Sequence, residues 1–240
     1  MSPSRQIRTL PVVGSWDLRA GVREYLGGVE LRGKRVLDVG TASGFLAFWM
    51  ERAGAHVVAY DLSEGQDWDV VPFAGSDVEA ERAARKTHIR QLNNSFRFAR
   101  GALDSKVKLA HGSVYAFPEG IGPFDVAVFG SILLHLQDPF RALQGALSLT
   151  KELVIVTDVL PRRSLLVPFL ARWFGPCLHF LPDAAAQGPK DSWFLLTPRA
   201  VIRMIGVLGF TDCRLSFHTQ LYDGKPCRLF TVVGRRTVPL

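Results

Sequence analysis

Cysteine is scarce in this 240-residue chain. Cys177, Cys213 and Cys227 are odd in number, widely separated, and form no CxxC pair. That argues against a disulfide framework or a thiolate zinc site and suits a reducing, cytoplasmic setting. Blocks of like charge are missing as well. The net charge is +7, yet the cations are scattered from Arg5 to Arg236. Such scatter reads as a solvated basic surface, so a nucleic-acid partner is possible but not favoured. The start, MSPSRQIRTLPVVG, lacks the apolar core of a secretory signal. The most apolar stretch, LLVPFLARWFGPCLHFLP (165–182), carries Arg172 and two internal prolines. A spanning helix needs about 20 unbroken apolar residues, so no transmembrane segment is expected. This stretch is read instead as a lid, a membrane-surface contact or the contact of a homodimer. No repeat, no low-complexity linker and no metal-ligand spacing is present. A metal-dependent mechanism would have to draw on Asp138 and Asp158.

What is present is an alternation of apolar runs and helical patterns, the signature of a parallel α/β sheet. Strands are expected at 34–39, 56–60, 106–110, 124–129 and 153–158, rich enough in Val, Leu and Ile to be buried on both faces. Helices are expected at 16–27, 44–53, 77–100, 138–148 and 198–208. The last has Thr197 as cap, Pro198 at its first position and Gly209 to close it. The tail holds two strand-like runs around Asp223-Gly224, a hairpin signal. The expectation is one Rossmann-like domain over 1–240: a mostly parallel seven-stranded sheet, helices on both faces and a C-terminal antiparallel hairpin. Residues 1–30 are read as a helical cap and 160–192 as an inserted substrate or lid segment.

The first strand runs into a turn, VLDVGTASGF (36–45), with Asp38 ahead of Gly40 and Gly44 four residues later. Dinucleotide-binding turns carry three glycines so that main-chain amides meet a pyrophosphate. Here Ala42 takes the middle place, and a carboxylate beside the turn repels phosphate. A second acid, Asp61, ends the next strand about 20 residues on, where a ribose diol accepts paired contacts. The pattern suits a cationic nucleoside.

VLDVGTASG, VVAYD, FDVAVFGSILLHLQDP and LTPRAVIRMIGVLGF resemble, in order, the motifs of class I S-adenosylmethionine-dependent methyltransferases. The resemblance spans about residues 15–236 and implies that family's fold, with S-adenosyl-L-methionine as cofactor and S-adenosyl-L-homocysteine as product. Carried onto this chain, it assigns Gly40, Thr41 and Gly44 to the cofactor's methionine part and ribose, with Asp38, Ala42 and Phe45 in the same turn. Asp61, with Leu62 beside it, takes the ribose hydroxyls. Ser113 and Val114 flank adenine, and Gly130 and Ser131 line the reaction centre. Trp16 and Arg19 approach from the amino-terminal side, Arg19 toward the methionine carboxylate. SWDLR (15–19), ILLHLQDP (132–139), the 193–210 run and Arg228 also look like the carboxy-S-adenosylmethionine-dependent tRNA wobble-uridine methyltransferases. Leu134 stands where that subgroup has a tyrosine, and its upstream lysine has no counterpart here, so ordinary S-adenosylmethionine is expected.

Methyl transfer from a sulfonium needs in-line positioning, which can supply about 7–11 kcal/mol of the barrier, and a base only when the nucleophile holds its proton tightly. His135, just past the fourth strand, is the candidate base; His88 and His56 read as structural. Trp68, Leu134, His135, Trp193 and Arg228 are the candidate acceptor contacts. The expected function is methyl transfer to an O, N or C nucleophile of a small molecule. The alternatives are a tRNA base modifier and a non-catalytic protein that keeps the fold as a binding module; an NAD-type oxidoreductase ranks last.

Overall fold

The computed structural model describes residues 14–160 and 175–239. Its elements are β1 (Trp16–Asp17), α1 (Val22–Tyr25), β2 (Arg35–Val39), α2 (Phe45–Arg52), β3 (His56–Asp61), α3 (Val78–Ala102) and β4 (Lys108–His111). They continue with β5 (Phe124–Gly130), a 3-10 turn at Leu133–His135, α4 (Pro139–Ser148), β6 (Thr150–Val159), β7 (Leu178–Phe180) and β8 (Phe194–Leu196). The chain closes with α5 (Pro198–Val207), β9 (Asp212–Tyr222) and β10 (Lys225–Arg235).

The main sheet runs β1-β9-β10-β6-β5-β2-β3-β4. Strands β4, β3, β2, β5 and β6 are parallel, while β10 lies antiparallel between β6 and β9. The chain therefore builds outward from β2 through β3 to β4, then returns to lay β5 and β6 on the other side of β2. The order reverses between β2 and β5, and open α/β sheets bind ligands at such a reversal, past the carboxyl ends of the strands. Alternate residues of the central strands feed two cores. Leu37, Val39, Ala127, Phe129, Val154 and Val156 face one layer; Val36, Val126, Val128 and Ile155 face the other. Fully burying one such side chain contributes about 1.5–3 kcal/mol, so both faces need a helical cover.

The five expected parallel strands are present, as are four of the five helices. Thr197 Oγ1 accepts from Ala200 N at 3.3 Å, Pro198 opens α5, and Gly209 follows it at φ +91°. Asp223 and Gly224 both have positive φ, +47° and +70°, as a two-residue hairpin turn of the I′ kind requires. Asp138 proves to be a helix cap, accepting from Arg141 N at 3.0 Å at the start of α4.

Two expectations need correction. The helix at 16–27 shrinks to the single turn α1, because Trp16 and Asp17 pair with Tyr222 and Leu221 as an extra edge strand. Trp16 meets Tyr222 edge-to-face at 4.9 Å, and Gly27 and Gly28 at φ +63° and +65° end the helix. The main sheet consequently has eight strands, not seven. The segment after β6 also carries structure of its own, the two-stranded pair β7–β8 with Leu178 opposite Leu196. Residues 1–13 of the expected cap, and the part of the apolar stretch through Phe174, including Trp173, lie outside the described residues. Among the described residues, no helix is long and apolar enough to cross a membrane.

Candidate active site

The turn after β2 answers the question its glycines pose. A Cβ on Gly40 would sit 2.2 Å from Cδ1 of Ile132, and one on Gly44 would sit 2.6 Å from the rings of Phe48 and Phe96. Both glycines have left-handed φ, +72° and +89°, as does Ala42 at +50°. The close approach that excludes side chains here comes from within the protein. We expect Gly44→Ala to destabilise the fold by about 1–3 kcal/mol, from overpacking and left-handed strain together. Urea unfolding checks this; an unchanged midpoint would contradict it.

The amides of the turn are also largely engaged. Gly40 N and Thr41 N donate to the Tyr60 carbonyl at 2.8 and 3.3 Å, Ala42 N to Asp61 Oδ2 at 2.7 Å, and Gly44 N to the Thr41 carbonyl at 2.9 Å. The turn presents carboxylates and carbonyls rather than a row of donors. The turn itself thus offers few free donors.

Asp61 ends β3, with Oδ2 accepting from Ala42 N and Oδ1 from Leu62 N, each at 2.7 Å. One N–H on each oxygen fixes the carboxylate plane and leaves each oxygen a lone pair, the fork that suits two neighbouring hydroxyls. Burial raises its pKa and the two amides oppose that. Asp38 lies beneath, 1 % exposed, accepting from Thr41 Oγ1 at 2.7 Å. Burial pushes its carboxyl up to about 7, the Thr41 bond pulls it down, and the Asp61 charge adds to the rise.

His135 sits on the 3-10 turn beyond β5, half-buried. Its Nδ1 lies 2.6 Å from the Asp191 carbonyl, which can only accept, so Nδ1 carries the proton and Nε2 the lone pair. Burial lowers the imidazole pKa while the Asp191 carbonyl opposes; the ring is neutral near pH 7. The Trp68 ring stands edge-on to it at 5.9 Å and to His88 at 6.0 Å, with the Arg85 guanidinium 5.6 Å from the indole. Arg85 in turn pairs with Asp191 at 2.9 Å. Trp193 N donates to the Leu134 carbonyl at 2.7 Å and its indole N–H to the Asp69 carbonyl at 2.8 Å. The Trp193 ring is buried, so it wedges these segments together instead of offering an open face.

The other expected residues spread around this centre. Ser113 accepts from Tyr60 Oη at its carbonyl, at 3.1 Å, and from Tyr115 N at Oγ, at 3.2 Å; Val114 beside it is buried. Gly130 is hemmed by Leu46 and Tyr25, and Ser131, at φ +53°, holds Tyr25 Oη at 2.9 Å. Phe45 opens α2 and is exposed. Arg19 is drawn elsewhere: its guanidinium pairs with Asp17 at 2.7 Å on the exposed edge and holds that carboxyl down to about 2. Trp16 packs against the small cluster of Leu18, Tyr25 and Leu229. Arg228 is exposed on β10 opposite Thr219, its carbonyl accepting from Leu160 N at 2.9 Å. A hollow of about 380 Å³ lined by Asp17, Glu24, His218 and Gln220 lies beside α1 on the β9–β10 side of the sheet and includes neither the glycine turn nor Asp38 and Asp61.

Sequence reasoning missed Tyr25 and Tyr115, which touch the site only through the tertiary fold; it placed Asp67, Trp68 and Asp69 in a loop after β3 able to reach over the cofactor, without their partners. It raised Asp158 only as a metal ligand, and no cluster of three or more metal-type ligands occurs among the described residues. Asp158 is 1 % exposed; Oδ1 accepts from Val159 N at 2.7 Å, and Oδ2 has no partner. Burial lifts its carboxyl to about 7, with the Val159 and Leu134 amides opposing. Asp38 and Asp158 thus keep protons, between pH 4 and about 7, that the unfolded chain has lost. The folded state binds more protons there, so these two groups make stability fall as pH rises through that window. Chemical unfolding at pH 5 and pH 8 tests this: Asp158→Asn should flatten the fall, and an identical pH slope would contradict the assignment.

A buried acid under a glycine turn, a forked carboxylate one strand over and a histidine past β5 all lie at the carboxyl ends of the strands, around the switch point of a doubly wound sheet. The chain belongs to the methyltransferase domain family, whose model matches residues 17–198. It is 38% identical over 130 residues to a ubiquinone biosynthesis O-methyltransferase of Alkalilimnicola ehrlichii, covering 52% of this chain and 51% of that protein. A protein of the same description from Marinobacter nauticus is 28% identical over 123 residues, 51% of this chain and 42% of the relative. The chain thus spans about half the length or less of the curated relatives it matches. Among solved structures, magnesium protoporphyrin IX methyltransferase of Synechocystis, with bound SAH, superposes with a TM-score of 0.55 at 13% identity, over 89% of this chain and 80% of that one. A Burkholderia thailandensis 1,6-didemethyltoxoflavin-N1-methyltransferase does so at 0.53 and 15%, over 91% and 76%. These establish the shared fold.

Proposed function

We propose that the protein transfers a methyl group from S-adenosyl-L-methionine to a hydroxyl oxygen of a small, aromatic acceptor, leaving S-adenosyl-L-homocysteine. The single observation that carries this is that Asp61, ending β3, and His135, on the turn past β5, lie on either side of β2 and its glycine turn at the carboxyl ends of the parallel strands. The residues fit the cofactor: a diol-shaped carboxylate at Asp61 and a turn whose amides are largely engaged within the protein. When bound, S-adenosyl-L-methionine supplies an electrophilic methyl group on a cationic sulfur. Asp61 holds the ribose hydroxyls, Ser113 and Val114 bound the adenine side, and Asp61 with the carbonyls of the turn makes the crevice attractive to a cation. Gly130 and Ser131 form the floor where the acceptor approaches.

Oxygen is favoured over nitrogen or carbon by the histidine. A phenol holds its proton with a pKa near 10, so a base helps, and His135 Nε2 has the free lone pair to take it. Trp68, exposed in part beside that nitrogen, offers an edge or face to a planar ring, and the two O-methyltransferase relatives support the same choice. The scattered cations and Leu134 give little to favour a tRNA acceptor, and an intact crevice gives little to favour a bare binding module. Assay of a panel of catechols and phenols with labelled S-adenosylmethionine tests the reading. Transfer to oxygen supports it, whereas cofactor binding with transfer only to tRNA would replace it.

A further inference from the structure

Segment 62–77 joins β3 to α3, and the order of strands dictates where it runs. Strand β2 lies between β3 and β5. A segment that leaves β3 at Asp61 and brings Trp68 to within 5.9 Å of His135, beyond β5, must cross the end of β2 and its glycine turn. Segment 62–77 is therefore the roof of the crevice. Its outer ion pairs, Arg90–Glu64 at 2.8 Å and Lys86–Asp67 at 3.2 Å, are well exposed, and pairs of that kind contribute about 0–1 kcal/mol.

Most of the roof's bonds to the β5 side converge on one residue. Asp69 Oδ2 accepts from the Tyr115 hydroxyl and from Gln137 N at 2.8 Å, while its carbonyl accepts from the Trp193 indole N–H at 2.8 Å. Those donors come from three separate segments: after β4, between the 3-10 turn and α4, and just before β8. Tyr115 Oη also accepts from Asp138 N at 3.2 Å, which ties the same knot to the cap of α4. Hydrogen bonds to an ionised carboxylate are about twice as strong as neutral ones. One additional main-chain bond, Val71 N to the Lys190 carbonyl at 3.0 Å, continues the seam toward β8.

We infer that Asp69 is a positioning residue, the latch that keeps the roof closed over the crevice and that must release for the cofactor to enter or leave. The inference rests on the reading that S-adenosylmethionine occupies this crevice. Without Asp69 the roof loses its bonds to Tyr115 and Gln137 at once, while both hydrophobic layers of the sheet are untouched. The same residue fixes Trp68, its neighbour in sequence, against His135. Loss of the latch therefore loosens the wall of the acceptor site together with the cover of the cofactor.

Two measurements on the full chain test it. In hydrogen–deuterium exchange without ligand, Asp69→Ala should speed exchange of amides in 62–76 by at least tenfold and leave β2, β5 and β6 as protected as in wild type. In stopped-flow displacement, the same variant should release S-adenosyl-L-homocysteine at least tenfold faster. Tyr115→Phe, which removes one bond and keeps the ring, should move both readouts the same way by a smaller factor, and serves if Asp69→Ala does not fold. Unchanged exchange in 62–76, or release within twofold of wild type, overturns the latch. Failure of wild type to bind S-adenosyl-L-homocysteine would instead overturn the cofactor reading, and exchange would still decide whether Asp69 holds the roof.

Discussion

His135→Ala is expected to slow methyl transfer to a phenolic acceptor by about 10²–10⁴ while S-adenosyl-L-homocysteine affinity stays within twofold of wild type. The reason is the tautomer. With the Nδ1 proton directed to the Asp191 carbonyl, Nε2 is left as the basic nitrogen of the ring. A sharper variant is His135→Asn, whose amide nitrogen can keep the Asp191 bond and whose oxygen is too weak a base to accept a phenolic proton. If the histidine only braces the turn, Asn should rescue the rate; if it is the base, Asn should be nearly as slow as Ala. The pH profile adds an independent check. Burial depresses the imidazole pKa, so the wild-type rate should be full near pH 7 and fall only below the usual histidine value of about 6.5. A profile that keeps rising through pH 8 would assign the base elsewhere.

Asp61→Ala is expected to weaken S-adenosyl-L-homocysteine binding by more than tenfold, or about 1.4 kcal/mol. Two effects add. The ribose loses a two-point acceptor, and Ala42 N and Leu62 N lose the carboxylate that holds the turn and the start of the roof in place. Asp61→Asn separates them in part, since one oxygen can still serve one amide while the NH₂ group faces the other. Its binding should fall between wild type and Ala. Calorimetry alongside thermal unfolding distinguishes lost contacts from lost structure. An Asp61→Ala protein that binds as wild type does would remove the ribose assignment.

The parallel strands, the α5 cap and the β9–β10 turn were legible because each follows from local chemistry: buried β-branched runs, Thr197-Pro198, and Asp223-Gly224. So were the two acids, since a charged residue closing an apolar strand is conspicuous without any tertiary knowledge. The role of the turn glycines was not legible. Gly40 and Gly44 look like concessions to a ligand, yet their neighbours are Ile132, Phe48 and Phe96, two of which are far away in sequence. Trp16 misled for a related reason: its helical-looking surroundings are overruled by an edge strand more than 200 residues later, Tyr222 being its partner. Asp69 was legible only as one residue of a loop after the second strand that can reach over the cofactor. Its donors, Tyr115, Gln137 and Trp193, converge only once the sheet order has folded three loops onto one end.

The account stands most directly on a titration of the purified chain with S-adenosyl-L-homocysteine, run beside the same titration with NAD. It predicts one equivalent of the thioether nucleoside bound with a dissociation constant below about 100 μM, near 5.5 kcal/mol, and no heat from the dinucleotide. Binding of NAD, or no binding of the thioether nucleoside, would contradict it.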